Sequence, residues 1–412
     1  AALLIGVSIL LTGQGLQGTL LPVRAGLEQF STLSIGVMGG IYFFGFTLGC
    51  AKGGELVKRV GHIRVFAAMT AIASASPLVH GLILDPWIWS LLRGLSGFCF
   101  AVLYVVIESW LNERASNENR GIIFSTYVMI TLTVLAAGQM MTLLYDPFDM
   151  HLFAITSVLV SLAAIPVVLS TSPSPELPHA VEVDISRLMR ISPAGALGCL
   201  ASGLATGSFW SLAPVFTANA SDNISLAAWF MTTAVLGGAL AQWPLGYLSD
   251  KIGRRKVLAM VGLIGALLSL LLVFGMDPAG FVALNVFSAA WGFVAFPVYA
   301  IAVAHANDYA EADDYVMVSS GLLLMYGSGA IVGPFIASAL MTATNESALY
   351  GFTGVIHLSL AVYVITRIFR RDSAPTEHHI SFGDALATAH TASQVYEEEI
   401  QYIAEEEENE PA

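Results

Sequence analysis

GLQGTLLPV at residues 15–23 and GSFWSLAPV at residues 207–215 are the stretches from which the architecture of this chain can be read. A shift of 192 positions lays Gly15, Thr19, Leu20, Pro22 and Val23 on Gly207, Ser211, Leu212, Pro214 and Val215. The same shift carries Gly45, Leu48, Gly54 and Gly61 onto Gly237, Leu240, Gly246 and Gly253, so the register survives two apolar runs without a gap. With three more residues inserted, Gly97, Phe98, Tyr104, Asn112 and Glu113 meet Gly292, Phe293, Tyr299, Asn307 and Asp308, and further on Ser125 and Gly138 meet Ser320 and Gly333. The chain therefore contains one unit twice, in the same orientation.

Each unit is made for lipid. Of the 412 residues 56% are hydrophobic and only 11% are charged, and the mean hydropathy is +0.73, far from the usage of a water-soluble domain. A helix rises about 1.5 Å per residue, so about 20 apolar residues are needed to cross the hydrocarbon layer. The sequence divides into twelve such runs, near 1–23, 33–57, 63–84, 87–112, 120–144, 150–171, 193–216, 225–249, 256–275, 279–305, 315–342 and 348–370. The fold class expected is an all-α membrane protein with twelve transmembrane helices in two parallel six-helix repeats. The expected division is an N-terminal bundle over 1–171, a cytoplasmic linker over 172–192, a C-terminal bundle over 193–371 and an acidic cytoplasmic tail over 372–412. A site between two similar rigid halves opens to either side at little cost, because both states use related packing.

The formal charge of −13 belongs to one segment. Residues 372–412 hold eleven acids and no Lys or Arg, and the remainder is close to charge balance. Such a tail either docks on a basic protein partner or stays solvated. Fifteen of the seventeen basic residues fall in the even-numbered loops or at the end of span twelve. Short basic loops stay cytoplasmic, which places those loops and both termini on that side. The two exceptions are Arg24, read as an interfacial anchor, and Arg93, inside span four. Cys50, Cys99 and Cys199 lie in apolar spans without metal-ligand spacing and read as packing residues.

Residues 246–255, GYLSDKIGRR, follow span eight. They closely resemble the loop signature that major facilitator superfamily transporters carry between spans two and three and between spans eight and nine. In that family the acid, here Asp250, lies against the start of a helix in the opposite half, where unpaired amides and the helix dipole favour negative charge. The resemblance implies span five, beginning near Arg120, as that helix, with Arg254 in the accompanying basic cluster. The first copy, GELVKRVGHIR at 54–64, keeps Gly54, Lys58, Arg59 and Gly61 but has Lys58 in place of the acid. RGLSGFCFAVLYVVIESWLNERASNENRG, from Arg93, and AQWPLGYLSDKIGRR, ending at Arg255, are similar to the YcaD-like branch of that superfamily. Span five has AAGQMM instead of the Gly-Pro-rich stretch of the family's antiporters, which speaks against drug antiport.

No nucleotide loop, metal motif or nucleophile elbow is present, so an enzyme or a bound cofactor is not expected, and neither is a nucleic-acid partner. YGSGAIVGPFIAS, from Tyr326, mimics a dinucleotide loop but follows no strand; its small residues allow close helix packing. The expected function is secondary active transport of a small polar or anionic metabolite by alternating access, driven by an ion gradient such as protons. The competing expectation is a non-transporting scaffold or sensor that recruits a partner through the acidic tail. The partners expected are a small-molecule substrate, membrane lipid and a protein at the tail.

Polar groups in the middle of a span carry the most information, since an unpaired one costs several kcal/mol in hydrocarbon. In the resembled family spans one, four, seven and ten line the central cavity, which makes Gln14, Gln17, Tyr104, Trp210, Trp291 and Tyr299 substrate-binding candidates. For the glutamines an interhelical hydrogen bond is the alternative, and for the aromatics it is packing. His305 and His357, near span ends, read as snorkelling side chains. Span four carries the charge. Gly97, Tyr104 and Glu108 lie about 40°, 20° and 60° from Arg93 around the helix, so the four share a face. Arg93 also matches the family's span-four arginine, which is associated with coupling. Arg93 is thus expected as substrate ligand or coupling residue and Glu108 as a residue of the cytoplasmic gate, with Arg59, Asp250 and Arg254 also in gating. Snorkelling of both side chains, or a pair of Glu108 with Arg59 or Arg64, is the competing account.

Overall fold

The computed structural model describes residues 2–113, 120–169, 183–220, 225–275, 280–311, 314–370 and 382. Most of the acidic tail, with His378 and His379, and most of the inter-repeat linker therefore fall outside the described residues. The first unit comprises α1 (Ala2–Leu27), α2 (Thr32–Val60), α3 (His62–Leu82), α4 (Pro86–Glu113), α5 (Arg120–Met140), α6 (His151–Leu162) and α7 (Ala164–Val168). A short linker helix, α8 (Ile185–Ile191), precedes the second unit of α9 (Pro193–Ala220), α10 (Ser225–Ile252), α11 (Arg254–Gly275), α12 (Phe281–Ala295), α13 (Pro297–Asn307), α14 (Tyr315–Ala343) and α15 (Ala348–Ile368). Twelve spans result, because α6 and α7 form one and α12 and α13 another. Both breaks have the same cause. Pro166 and Pro297 lack an N–H, so the carbonyls of Leu162 and Phe293 lose their helical partners.

Pairing of helices repeats between the units. In the first, α2 packs on α4, α1 on α5, and α3 on α6; in the second, α10 packs on α12, α9 on α14, and α11 on α15. Several of the glycines that the repeat aligns are points of close approach between helices. A Cβ at Gly45 would enter the backbone of Gly94, and one at Gly237 the backbone of Ala289. Gly97 lies against the Tyr42 carbonyl and Gly292 against that of Ala234; Gly138 meets Thr12 as Gly333 meets Leu204. In lipid, where burial of apolar surface gives little driving force, such backbone-to-backbone approach supplies the packing attraction. Gly61 and Gly253, the turn residues of the two loop signatures, have φ of +94° and +98°, a conformation for which side-chain-free glycine is suited.

The units meet through α2 on α14 and, by the same symmetry, α5 on α10, with α1 and α2 also touching α9. Close contacts lie at the end away from the basic loops and at mid-span, where Gly327 abuts Thr47. Gly36 abuts Ser338 and Pro334, Gly39 abuts Ser211, and Gly40 abuts Phe335 and Ile331. Nearby the Thr232 hydroxyl faces the Gln139 side-chain oxygen at 3.4 Å. Toward the basic-loop end Glu108, Tyr104 and Tyr299 remain partly exposed. The units are thus in close contact from the far end to mid-span, and these three partly exposed side chains border the cleft between them on its loop side.

Two expectations about single residues change here. Arg24 is 7% exposed and is no interfacial anchor: it donates to the Pro147 carbonyl at 2.6 Å, pairs with Glu28 at 2.7 Å and covers the Phe148 ring. It clasps span one to the loop before span six. His357 does not snorkel either, since it is buried and its Nδ1 lies 2.7 Å from the Thr353 carbonyl. A ring hydrogen-bonded to its own helix one turn back has no need to reach the interface.

Candidate functional site

The centre of the first unit is organised by one amide. Gln14, midway along α1, donates from Nε2 to the Tyr42 hydroxyl at 3.1 Å and accepts at Oε1 from the Tyr104 hydroxyl at 2.8 Å. Three spans are thereby tied together through one side chain. Tyr42 in turn lies under Arg93, whose guanidinium carbon is 4.0 Å from the ring centroid. The ring face partly compensates the cation. It supplies no counter-charge, and among the described residues Arg93 forms no ion pair or hydrogen bond.

Glu108 stands about one turn from Tyr104 toward the loop end of the cleft. Among the described residues it forms no hydrogen bond or ion pair, with Arg59 or with Arg64. It lies within electrostatic reach of Tyr104, of Tyr127 on α5 and of Tyr299 on the opposite unit. Arg59 is exposed at the end of α2. Tyr104 and Glu108 are both partly exposed on α4, and Arg93 is linked to Tyr104 through Tyr42 and Gln14.

Across the cleft, Tyr299 on α13 packs edge-on against Tyr326 on α14, with centroids 5.0 Å apart. The Tyr326 hydroxyl lies 3.1 Å from the Thr206 hydroxyl on α9. Trp210 is half-buried and stacks flat on Phe296, centroids 5.4 Å apart. Trp291 has a different place. It is wholly enclosed, stacked on Phe209 at 4.4 Å and bordered by Tyr350 and His357, so in this conformation it is core. Gln17 is also enclosed, 2% exposed, and its Nε2 has no partner.

Tyr42 and Tyr326 were not among the residues expected from sequence. A signal existed: a tyrosine hydroxyl in the middle of a span needs a partner for the same reason as an amide does. What the sequence lacks is the rotation of α2 and α14 that turns these two rings into the cleft.

The loop signature of the second unit forms a compact charge cluster. Arg254 is paired with Asp250, with Asp308 at 3.3 Å and with the Ser249 hydroxyl at 2.7 Å, and Arg255 donates to the Tyr309 hydroxyl. The expected seat of Asp250 falls at Arg120, whose side chain lies outside the described residues. In the first unit the side chain of Glu113, at the position of Asp308, lies outside the described residues. Lys58, in the acid's position, is exposed, and His62, in the position of Arg254, packs against Trp110 with ring centroids 5.7 Å apart.

Comparison with known proteins places this geometry. Residues 195–397 match the family model described as Major Facilitator Superfamily, and residues 5–179 match the one described as Sugar (and other) transporter. A protein of Escherichia fergusonii described as the uncharacterized MFS-type transporter YcaD is 26% identical over 381 residues, covering 91% of this chain and 97% of that protein. Its namesake in Shigella flexneri is 28% identical over 354 residues, 84% of this chain and 90% of the relative. Among solved structures, the nucleoside transporter NupG superposes with a TM-score of 0.75 at 13% identity, over 90% of this chain and 99% of that one. The fucose:proton symporter FucP superposes with a TM-score of 0.55 at 15% identity, over 89% and 98%. At such identities the structural likeness speaks for the fold, and the sequence relatives speak for the family. With twelve spans in two units, a signature loop and relatives along both, the chain belongs to the major facilitator superfamily of membrane transporters.

Proposed function

We propose that this protein moves a small polar metabolite bearing a negative charge across the inner membrane by alternating access, coupled to an ion gradient, with Arg93 as the group that binds the charge. One observation carries the reading. A guanidinium inside the bilayer with only a tyrosine ring for company has not been given the anion that a structural arginine would have. In the family fold such a group is most economically matched by the substrate itself. Gln14, Tyr42 and Tyr104 form the polar wall beside it, Gln17 supplies a buried amide with a spare donor, and Tyr299 and Trp210 are the candidates of the second unit. Glu108, at the loop end and about 22 Å along the helix from Arg93, is too far to pair with it and suits the gate or the coupling ion. Residues 1–171 and 193–371 then rock as two bodies joined by 172–192.

Uptake by the purified protein in proteoliposomes, measured over a panel of carboxylates, phosphates, sugars and nucleosides with and without a proton gradient, tests this. Stimulation by the gradient and preference for anions are expected. A protein that moves only neutral or cationic solutes would remove Arg93 from the centre of the mechanism.

The basic loops further lead us to place both termini and α8 in the cytoplasm. Ser186→Cys should be protected from an impermeant maleimide in intact cells, whereas Thr344→Cys, at the opposite end of the spans, should be modified. The reverse pattern would invert the topology and with it the direction of transport.

A further inference from the structure

One residue of the acidic tail has a place in the fold. Phe382 is 6% exposed; its ring covers Gly246 and its backbone N–H donates to Asp250 Oδ2 at 3.3 Å. The other oxygen of that carboxylate is held by Arg254. Phe382 thus sits on the signature loop, by an aromatic ring in a glycine cradle and a main-chain hydrogen bond to the signature acid.

The face it covers is identified by the helix period. On α10, Thr232 is the residue that meets Gln139 of α5 across the boundary between the units. Asp250 lies eighteen residues further along, which is five full turns, and Gly246 lies fourteen, about 40° from the same line. Gly246 and Asp250 are therefore the continuation of the face that α5 packs against, roughly 21 and 27 Å toward the loop end. α5 runs antiparallel to α10, and from Gln139 back to its first residue, Arg120, is about 28 Å. The level of Asp250 is the level of the first turn of α5. Phe382 sits on the surface that this turn would need if the two helices came together along their whole length.

We propose that Phe382 is an internal ligand of the transport cycle: seated on Gly246 and Asp250, it holds the cleft open at the loop end, and it must leave before that end can close. The device is confined to this chain, requires no partner protein and is independent of what the central site carries, so it stands or falls apart from the assignment of Arg93.

The test uses the full-length protein in lipid vesicles. A benzophenone amino acid at position 382 should, on illumination, link within the same chain to the peptide around residues 243–250. Linkage to another chain, or to a different segment, would overturn the proposal. In a second arm Ser338→Cys reports opening of the far end, since Ser338 is fully buried against Gly36. With the three native cysteines replaced, its modification by maleimide should be several-fold faster with Phe382→Ala than with Phe382 intact, and Phe382→Trp should restore the slow rate. Equal rates in all three would show that the tail does not bias the cleft.

Discussion

Replacing Arg93 by alanine is expected to abolish substrate-driven uptake and to leave a folded protein. The loss follows from what the side chain would contribute. Removing one partner of a desolvated, hydrogen-bonded charge pair costs about 2–5 kcal/mol, so binding should fall by roughly a hundredfold or more. Lysine should not rescue it, because a compact ammonium cannot present the planar fork of donors that grips a carboxylate or phosphate. Stability without substrate is the discriminating measurement. Since Arg93 has no anionic partner among the described residues, the alanine variant gives up only its contact with the Tyr42 ring, about 1 kcal/mol, and it is relieved of a charge in the membrane. The melting temperature of the substrate-free protein in detergent should hence stay near that of the parent. The competing account, in which Arg93 is a structural or snorkelling residue, requires the opposite pattern: binding retained. A purified Arg93→Ala protein that binds and moves the substrate as the parent does would end the functional reading of span four.

Gly97→Val is expected to prevent folding, and Gly292→Val to do so equally. The Cβ of any substituent at these positions points into the main chain of the neighbouring span, at Tyr42 and at Ala234. Neither can move aside as the tip of a flexible side chain could. Overpacking that side chains can absorb costs about 1–3 kcal/mol, and a backbone obstacle forces α2 away from α4, or α10 away from α12, with all the small contacts along the seam. Gly54→Ala is the control on the same helix as one of these seams, because no atom lies within 4 Å of the new methyl group. Size-exclusion profiles of fluorescent fusions should show Gly97→Val and Gly292→Val aggregated and Gly54→Ala monodisperse. A monodisperse Gly97→Val would mean that α2 and α4 have room to separate, and the account of the repeat as a set of glycine-mediated seams would fail.

The way these two predictions arise marks how far sequence reaches. Gly97 and Gly292 were aligned by the repeat before any contact was known, and both proved to be points of closest approach, because a duplicated unit keeps the positions where only hydrogen fits. Glu108 and Tyr104 were assigned to one face by the period of the helix, and both are partly exposed on α4. Trp291 shows where that reasoning stops. Its span is one that lines the cavity in the resembled family, yet the ring is enclosed and stacked on Phe209.

By itself the sequence determined that this chain has twelve apolar helices in two parallel copies, which loops are basic, and which spans carry charge. Lipid makes those features local: a helix must satisfy its own backbone and be about 20 residues long, whatever its neighbours do. Tertiary structure alone decided that Arg93 rests on Tyr42, that Gln14 bridges Tyr42 and Tyr104, that Arg24 is buried on a loop, and that Phe382 ends on Asp250. Each of these depends on how far one helix is rotated and slid against another. That is set by the sum of many weak contacts along a seam, each a few tenths of a kcal/mol, and no single residue announces it.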